Sequence, residues 1–394
     1  MKVREFLTTL LLPLSIAASL QGADFESELL FPLEPWHNHS PSIVETPDGG
    51  LLAVWFHGSG ERKADDVQVR GSRRAPGASE WEPAWVAADT PGFPDTNCVV
   101  WVDSQQRLWL FWMTFVANLP ESTILQYRVS SDYLNPGQPP TWERQEPILL
   151  KHDMDRFSQT VREWAAPLLR EASPEEAAYL ARVVGDAQDK YKSRMGWMVR
   201  THPIQLDSGR LLLGLYSDLY DFSLMAISDD SGSTWRPGLP LIGGGAVQPS
   251  VVVRQDGSLV AFLRDNGNAP KRMLRSVSKD AGETWSVAED TNHPNPASSV
   301  EAIRLEDGRL LLVSNDTENG RHSLAVSLST NEGATWSTAK HLEQEREGEG
   351  SFSYPSVIQA RDGRVHVAYS VHIDSEHKAI KHASFTPAWL PPLH

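Results

Sequence analysis

The sequence predicts an all-β fold, a six-bladed β-propeller interrupted by one helical insertion. Three observations carry this prediction: a repeated turn motif, six polar turns between pairs of apolar strands, and one long interval of helical composition. Each blade of a propeller is a four-stranded antiparallel sheet. A chain of 394 residues suits one such domain, because closed all-β folds often exceed the usual domain size.

The repeated turn motif has the pattern S-x-D/N-x-G-x-T-W. It occurs at residues 228–235, 278–285 and 329–336. Degenerate copies run from Ser72 to Trp81 and from Ser130 to Trp142. The Asp or Asn side chain can bond to the turn backbone, the Gly supplies a positive φ, and the Trp packs back between sheets. We therefore interpret the motif as a structural element of the fold and not as a catalytic site.

A second series of turns gives the number of blades. Each turn separates two strand-like runs, such as residues 42–45 and 51–56. The six turns are Asp48-Gly49, Asp103 to Arg107, Asp207 to Arg210, Asp256-Gly257, Asp307-Gly308 and Asp362-Gly363. Six turns predict six blades.

The long interval between the second and third turns contains a segment of different character, about residues 153–192, rich in Ala, Leu, Glu and Arg. Ser173, Pro174 and Glu176 have the cap, first-position proline and early acid of a helix start. We expect a helical hairpin on one face of the propeller. It either packs against the blades or forms a rim that shapes a pocket.

The first residues resemble a secretory signal. Lys2 and Arg4 precede an apolar run over residues 6–20. We predict a signal peptide at residues 1–23 with an uncertain cleavage site, a retained anchor being the alternative, and the propeller over residues 24–394. The expected location is secreted or periplasmic, most simply in a Gram-negative bacterium. Cys98 is the one cysteine, so no internal disulfide can form, and we expect it in the core.

Charge and residue spacing exclude several partners. The chain has 51 acidic and 36 basic residues and a formal net charge of -15, which repels phosphate backbones and anionic lipid. We expect no nucleic-acid partner and no membrane span beyond an uncleaved signal anchor. His39, His57 and His202 do not have a recognised ligand spacing, and we predict neither a metal nor a cofactor.

The candidate site follows from where the innermost strands begin, since these strands start near the central axis. Polar stretches lead into a proline and an apolar strand, which is a position where a strand tolerates proline. They are His39-Ser40-Pro41, Arg200-Thr201-His202-Pro203, Gln248-Pro249 and Tyr354-Pro355. In the fifth blade Glu301 begins the strand. We expect these side chains to converge on one pocket.

The repeats resemble the Asp-boxes of the sialidase (neuraminidase) superfamily, and the whole mature chain resembles its bacterial BNR-repeat, predicted-neuraminidase branch. The stretches that carry the resemblance are residues 51–74, 196–215, 248–265, 275–312 and 354–383. Asp-boxes also occur in non-catalytic propellers, so they support the fold better than the reaction.

The resemblance implies roles for three residues. Arg264 and Arg321 resemble two of the three arginines that hold the substrate carboxylate, and Tyr354 resembles the nucleophile. Paired guanidiniums bind a planar carboxylate in bidentate fashion. A phenol with an ordinary pKa near 10 is a poor nucleophile at neutral pH and needs help to lose its proton.

The sequence departs from the superfamily pattern at two positions. His39 replaces the first arginine, and Gln248 replaces the carboxylate that partners the tyrosine. We predict that Glu301 takes over as the base. Within residues 57–66, Glu61 is the nearest candidate for acid-base work and Asp66 is a further catalytic candidate. His57 and Arg200 are candidate substrate-binding residues.

Three classes of function remain open. The first is an exo-acting glycoside hydrolase that releases sialic acid or a related acidic sugar with retention of configuration, as the tyrosine nucleophile implies. The second is a polysaccharide lyase in which His39 and Tyr354 act as base and acid on a uronate. The third is a non-catalytic glycan-binding propeller. In each case the expected partner is an acidic glycan.

Overall fold

The computed structural model describes residues 24–390, and the predicted signal peptide at residues 1–23 lies outside this range. The described chain forms six antiparallel sheets, five with four strands and one with five. The sheets are the blades of a propeller, which confirms the predicted fold class. No helix of residues 24–390 has the length and apolar character of a membrane span.

The strands are numbered in chain order, and within each blade they run from the axis outward. Strand β1 (Phe25–Leu29) belongs to the last blade. Blade 1 contains β2 (His37–Glu45), β3 (Leu51–Gly58), β4 (Gln68–Arg74) and β5 (Trp85–Ala88), and blade 2 contains β6 (Asp95–Val102), β7 (Leu108–Phe115), β8 (Thr123–Ser130) and β9 (Arg144–Pro147). Blade 3 contains β10 (Met198–Val199), β11 (Ile204–Gln205), β12 (Leu211–Ser217), β13 (Phe222–Ser228) and β14 (Arg236–Pro237).

The remaining blades follow the same order. Blade 4 contains β15 (Ala246–Val253), β16 (Leu259–Asp265), β17 (Arg272–Ser278) and β18 (Glu289–Pro294), and blade 5 contains β19 (Glu301–Arg304), β20 (Leu310–Ser314), β21 (Ser323–Ser329) and β22 (Lys340–Gln344). Blade 6 contains β23 (Ser351–Gln359), β24 (Val365–His372) and β25 (Lys378–Phe385). Its outermost strand is β1, which pairs with β25 from Phe25 opposite Phe385 to Leu29 opposite Lys381. The two ends of the described chain therefore close the ring.

The Asp-box turns form as the sequence predicts. In the box of blade 4, Asp280 accepts hydrogen bonds from the Thr284 amide (3.0 Å) and hydroxyl (2.5 Å). The Ser278 hydroxyl accepts one from the Gly282 amide at 2.9 Å. Trp285 packs on the core between blades 3 and 4.

The glycines of the boxes lie against the preceding blade. Gly232, Gly282 and Gly333 all have positive φ, from 74° to 87°. A Cβ on Gly232 would lie 2.2 Å from the Trp109 ring, and a Cβ on Gly333 would lie 2.2 Å from the Phe262 ring. Glycine is therefore needed here both for the backbone conformation and for close approach between blades.

The helical insertion is confirmed and consists of three helices, where the sequence predicted a hairpin. They are α1 (Met154–Leu168), α2 (Pro174–Asp186) and α3 (Lys190–Arg194). Ser173 and Glu176 form the predicted capping box of α2. Phe157 of α1 and Val183 of α2 belong to the core cluster that contains Trp197 and Phe222 of blade 3.

Six hydrogen bonds surround the axis, and each joins one pair of adjacent blades. Adjacent inner strands do not pair as a sheet, so their buried backbone groups need side-chain partners. The bonds run from the Val100 amide to Ser42 Oγ (3.1 Å), from Asn97 Nδ2 to Tyr216 Oη (2.8 Å), from Thr201 Oγ1 to Pro249 O (2.6 Å), from the Ala302 amide to Ser250 Oγ (2.9 Å), from the Val357 amide to Glu301 Oε2 (2.7 Å), and from the Ile43 amide to Ser356 Oγ (3.1 Å). We call this set the axial ring.

Four inner strands contain a bulge at the same level of the propeller. At each bulge the register shifts and one non-glycine residue has a positive φ: Ser40 (53°), Asn97 (39°), Gln248 (54°) and Tyr354 (57°). A left-handed conformation costs about 1–2 kcal/mol for such residues. Bulges redirect side chains and are frequent beside functional sites.

The packing of the Asp-box glycines predicts a large cost for an added methyl group. We expect Gly333→Ala to lower the free energy of unfolding by roughly 2–4 kcal/mol, because the new Cβ meets Phe262 and the positive φ is retained. Gly185→Ala in α2 is the matched control, since its Cβ would contact nothing within 4 Å. Urea denaturation of both variants measures the difference, and equal stabilities would contradict this account of the turn.

Candidate active site

A cavity of about 470 Å³ lies on the axis, at the end of the propeller where the inner strands begin. All six blades contribute to its wall. It is lined by His39, Glu61, Arg62, Thr96, Asn97, Met113, Phe115, Pro120, Met198, Tyr216, Asp218, Gln248, Arg264, Asn266, Arg321 and Tyr354. The predicted trio of Arg264, Arg321 and Tyr354 therefore shares one cavity, together with the predicted residues His39, Gln248 and Glu61.

Tyr354 lies among three guanidinium groups. Its hydroxyl accepts a hydrogen bond from Arg264 Nη1 at 2.9 Å, and Gln248 Nε2 lies 3.5 Å from the same oxygen. The guanidinium carbons of Arg200 and Arg321 lie 5.1 and 5.3 Å from the centroid of the ring. Cations at this distance from the face of an aromatic ring are attracted by its electron density.

These charges change the acidity of the phenol. Burial raises the pKa of Tyr354, but the positive charges of Arg264 and Arg321 outweigh burial and hold the pKa below its ordinary value of 10. The amide of Gln248 acts in the same direction as the arginines, while the negative charge of Glu61 opposes them. The site therefore stabilises the phenolate without a carboxylate next to the hydroxyl.

Arg264 and Arg321 are not neutralised by acidic side chains. Arg264 Nη2 donates a hydrogen bond to Asn266 Oδ1 at 3.1 Å, and Arg321 Nη2 donates one to the Ala297 carbonyl at 2.8 Å. Neither arginine forms an ion pair within residues 24–390, and both are half-buried. Two guanidiniums directed at a cavity in this way form a binding site for an anion.

His39 contributes a neutral ring beside Tyr354. The two ring centroids are 4.2 Å apart. Burial and the neighbouring His372 and His37 rings keep the pKa of His39 well below its ordinary value of 6.5. His39 therefore adds a hydrogen-bonding group to the cavity wall and not a third positive charge.

The sequence analysis missed six polar residues of the cavity wall, which are Arg62, Thr96, Asn97, Tyr216, Asp218 and Asn266. Asn97 occupies in blade 2 the bulge position that Gln248 and Tyr354 occupy in their blades, but no proline follows it, so the proline pattern did not reveal it. Tyr216 is the penultimate residue of β12, as Arg264 is of β16. Burial, with a smaller contribution from Asp218, raises the pKa of Tyr216 above 10.

Glu301 lies away from the Tyr354 hydroxyl, contrary to its predicted role as the base. One oxygen accepts from the amide of His202 at 2.9 Å and lies 3.0 Å from His202 Nδ1. The other accepts from the Val357 amide at 2.7 Å. The carboxylate is thus used in the axial ring, because the side chain points across the axis and not into the cavity.

Three further predicted residues lie outside the cavity wall. Asp66 accepts from the Ser59 amide (3.1 Å) and hydroxyl (2.9 Å) and so closes its own loop. His57 contacts Asn38 Oδ1 at 2.8 Å. Arg200 is buried and donates to the Pro355 carbonyl at 2.8 Å. Arg200 therefore lies against the Tyr354 ring and outside the cavity wall.

Cys98 is fully buried beside the axis, where burial raises the pKa of its thiol to about 12. Within residues 24–390, no group of three or more His, Cys, Asp or Glu side chains is placed to hold a metal ion.

A second crevice of about 500 Å³ lies at the opposite ends of the inner strands, between blades 6 and 1. There Arg74 pairs with Glu28 and Arg361 with Glu45, so their charges are already matched.

Comparisons with known proteins support the same fold. Residues 186–367 match the family described as BNR repeat-like domain. No curated protein sequence matches the chain. A solved structure of a protein of unknown function from Dyadobacter fermentans is 17% identical, with a TM-score of 0.66 over 92% of this chain and 98% of that chain.

Two solved structures of enzymes are similar to the same extent. The NanB sialidase of Streptococcus pneumoniae is 12% identical, with a TM-score of 0.67 over 92% of this chain and 71% of that chain. The leech intramolecular trans-sialidase is 14% identical, with a TM-score of 0.68 over 92% of this chain and 70% of that chain. At these identities the likeness establishes a common fold.

The environment of Tyr354 predicts how its acidity responds to mutation. We expect Arg264→Met to raise the pKa of Tyr354 by about 1 pH unit or more, because the nearest positive charge is removed. The pKa is read from phenolate absorbance, with the matching Tyr354→Phe protein as the blank. Arg309→Met, which removes an arginine paired with Asp307 in a turn of blade 5, should leave the pKa unchanged, and a similar change in both variants would refute the role of Arg264.

The contacts of Glu301 predict that its substitution lowers the stability of the protein and leaves the pKa of Tyr354 unchanged. Although burial raises the pKa of Glu301, His202 and Arg200 outweigh it and lower the pKa below 4.5, so its charge contributes to stability above pH ~4.5 and the contribution disappears as the pH falls through the lowered value. We expect Glu301→Gln to cost roughly 2–4 kcal/mol at neutral pH and to reduce the dependence of stability on acid. Thermal unfolding as a function of pH measures both effects, and an unchanged stability of the variant would contradict this structural role of Glu301.

Proposed function

We propose that this chain is an exo-acting glycoside hydrolase of the sialidase-like superfamily that acts on a terminal acidic sugar. One observation carries the proposal: Arg264 donates to the Tyr354 hydroxyl, Arg321 lies over the Tyr354 ring, and both line the cavity without an ion-pair partner among residues 24–390. The fold supports a glycoside-hydrolase-like family, and the residues of the cavity supply the finer argument.

The two guanidiniums argue for an acidic substrate. A carboxylate on the sugar would replace the missing ion-pair partners of Arg264 and Arg321, with two donors from each planar group. The apolar side of the cavity, formed by Met113, Phe115 and Met198, would cover the less polar face of the ring. Sialic acid or a related acidic sugar fits this division of the wall.

The shape of the cavity argues for action at a chain end. The wall comes from all six blades, so a polysaccharide cannot run through the site as it would along an open cleft. A volume of about 470 Å³ is within the range that small ligands occupy. Export to the periplasm or the medium, as residues 1–23 predict, would bring the enzyme to glycans outside the cytoplasm.

In the first step, the Tyr354 oxygen attacks the anomeric carbon and the bond to the leaving-group oxygen breaks. Glu61 donates a proton to that oxygen. The proton of Tyr354 is lost to solvent beforehand, since Arg264, Arg321 and the Gln248 amide stabilise the phenolate and an amide is not a base at neutral pH. The product is an aryl glycoside in which the Tyr354 oxygen is bonded to the anomeric carbon.

In the second step, water attacks the anomeric carbon and the Tyr354 phenolate leaves. Glu61, now a carboxylate, accepts the proton of the water. Two inversions give net retention, as expected of glycosidases with a tyrosine nucleophile. Arg264 and Arg321 stabilise the leaving phenolate in the same way that they stabilise the attacking one.

A second candidate function is elimination from a uronate. The contact that favours it is the 4.2 Å separation of the His39 and Tyr354 rings, which places a neutral imidazole and an acidified phenol side by side. In this reaction one of them removes the proton next to the carboxylate and the other protonates the leaving oxygen. The arginines would neutralise the carboxylate of the uronate.

Product analysis with Tyr354→Phe tests the proposed hydrolysis. Incubation of the wild type with glycans that end in sialic acid or a uronic acid should release a free acidic sugar. Tyr354→Phe should lower turnover by about 10³-fold or more, because the nucleophile is lost. Tyr369→Phe is the matched control, since its buried hydroxyl donates to Glu343 in blades 5 and 6, far from the cavity.

Each product distinguishes one function. A free reducing sugar supports hydrolysis, an unsaturated sugar that absorbs in the ultraviolet supports elimination, and binding without any product supports a glycan-binding propeller. Full activity of Tyr354→Phe would remove Tyr354 from the mechanism.

A further inference from the structure

The helical insertion does not line the cavity, yet α2 is tied to the turn that joins β12 to β13. Tyr179 Oη lies 3.2 Å from the Tyr220 carbonyl and 3.3 Å from Asp221 Oδ2. Arg182 donates to the Leu219 carbonyl at 2.9 Å. Tyr220 Oη in turn donates to the carbonyl of Asp186, at the end of α2, at 3.0 Å. The helix therefore fixes residues 219–221 from outside.

The same turn reaches the cavity through a chain of hydrogen bonds. Asp221 Oδ1 accepts from Asn266 Nδ2 at 2.6 Å. Asn266 Oδ1 accepts from Arg264 Nη2 at 3.1 Å. Arg264 Nη1 donates to Tyr354 Oη at 2.9 Å. Each member orients the next, so the path leads from α2 to the hydroxyl of Tyr354.

The backbone fixes the positions of Asn266 and Asp221, two members of this hydrogen-bonded path. The amide of Asn266 donates to the Gly245 carbonyl at 2.8 Å. A Cβ on Gly245 would lie 2.1 Å from the Gly267 amide nitrogen, so this close approach needs glycine. Asp221 has a positive φ of 56°, a conformation that costs free energy and is kept where the surroundings determine it.

A second contact of the same turn also enters the cavity. Asp218 Oδ2 forms an ion pair with Arg62 Nη1 at 2.8 Å, and both side chains are half-buried and line the wall. Arg62 follows Glu61 directly in the sequence. The turn between β12 and β13 thus contacts the wall on two sides.

We propose that the helical insertion is a positioning element for the cavity, in which Tyr179 and Asp221 act through Asn266 to hold the Arg264 guanidinium against Tyr354. Tyr179, Asp221 and Asn266 are positioning residues, since in this arrangement they act through Arg264. The insertion is then neither an inert packing segment nor a rim. The part of the inference that concerns turnover rests on the proposed function, whereas the part that concerns the acidity of Tyr354 does not.

The test removes the first hydroxyl of the chain. In Tyr179→Phe, we expect the pKa of Tyr354 to rise measurably, because Arg264 is less firmly held, and kcat/KM on an acidic glycan to fall roughly fivefold. The pKa is read from phenolate absorbance against the corresponding Tyr354→Phe double variant. Tyr127→Phe is the control, because Tyr127 Oη donates to Glu146 at 3.2 Å and takes no part in this hydrogen-bonded path. In this variant the pKa of Tyr354 should equal that of the wild type.

A double-mutant cycle shows whether Tyr179 acts through Asn266. Asn266→Ala should raise the pKa of Tyr354, and Tyr179→Phe should then add almost nothing, since the chain is already broken. Asp221→Asn should keep a near-normal pKa, because asparagine tolerates a positive φ and still offers an oxygen to Asn266. This conservative variant also serves if Tyr179→Phe does not fold, with Asp221→Ser as its disruptive partner.

The outcomes separate the two proposals. Additive effects, or an unchanged pKa in a destabilised Tyr179→Phe protein, would overturn the positioning role. A pKa that responds as expected in a protein without any glycan turnover would support the positioning role and refute the proposed hydrolysis.

Discussion

The structure depends on how the inner strands satisfy their backbone at the axis. Adjacent inner strands do not form a sheet with one another, so buried amides and carbonyls would lack partners. Ser42, Ser250 and Ser356 meet this need at equivalent positions of three blades, and Glu301 meets it with a charge. The cavity adjoins this ring and shares Asn97 and Tyr216 with it.

The site combines backbone strain with concentrated positive charge. Gln248 and Tyr354 enter the cavity from bulges with positive φ, and three guanidiniums surround one phenol. Such arrangements lower stability, which is common at sites whose geometry serves function. The same charges explain the acidified phenol without the carboxylate partner that the superfamily pattern has, so Gln248 can act as a donor where a base would be expected.

Local sequence signals were enough for the blades, the Asp-box turns and the capping box of α2, because each rests on contacts within a few residues. The trio Arg264, Arg321 and Tyr354 is predicted from the resemblance, and only Tyr354 also lies at a recurring strand start. The predicted base role of Glu301 is wrong because a strand start does not reveal which way the side chain points. Tyr216 and Asp218 were missed because their partners, Asn97 and Arg62, lie in other blades. The pairing of β1 with β25 could not be predicted from the sequence either, since no local pattern identifies strands that pair over such a distance.

The pairing of the first strand with the last also constrains biosynthesis. Because β1 has no partner until β25 has been made, blade 6 cannot be completed before residue 385 has been synthesised. Long-range β pairing is slow to form. The ring of blades therefore stays open during nearly all of the synthesis of residues 24–385, and the exposed edge of β25 gains its last partner only when the first strand folds back onto it.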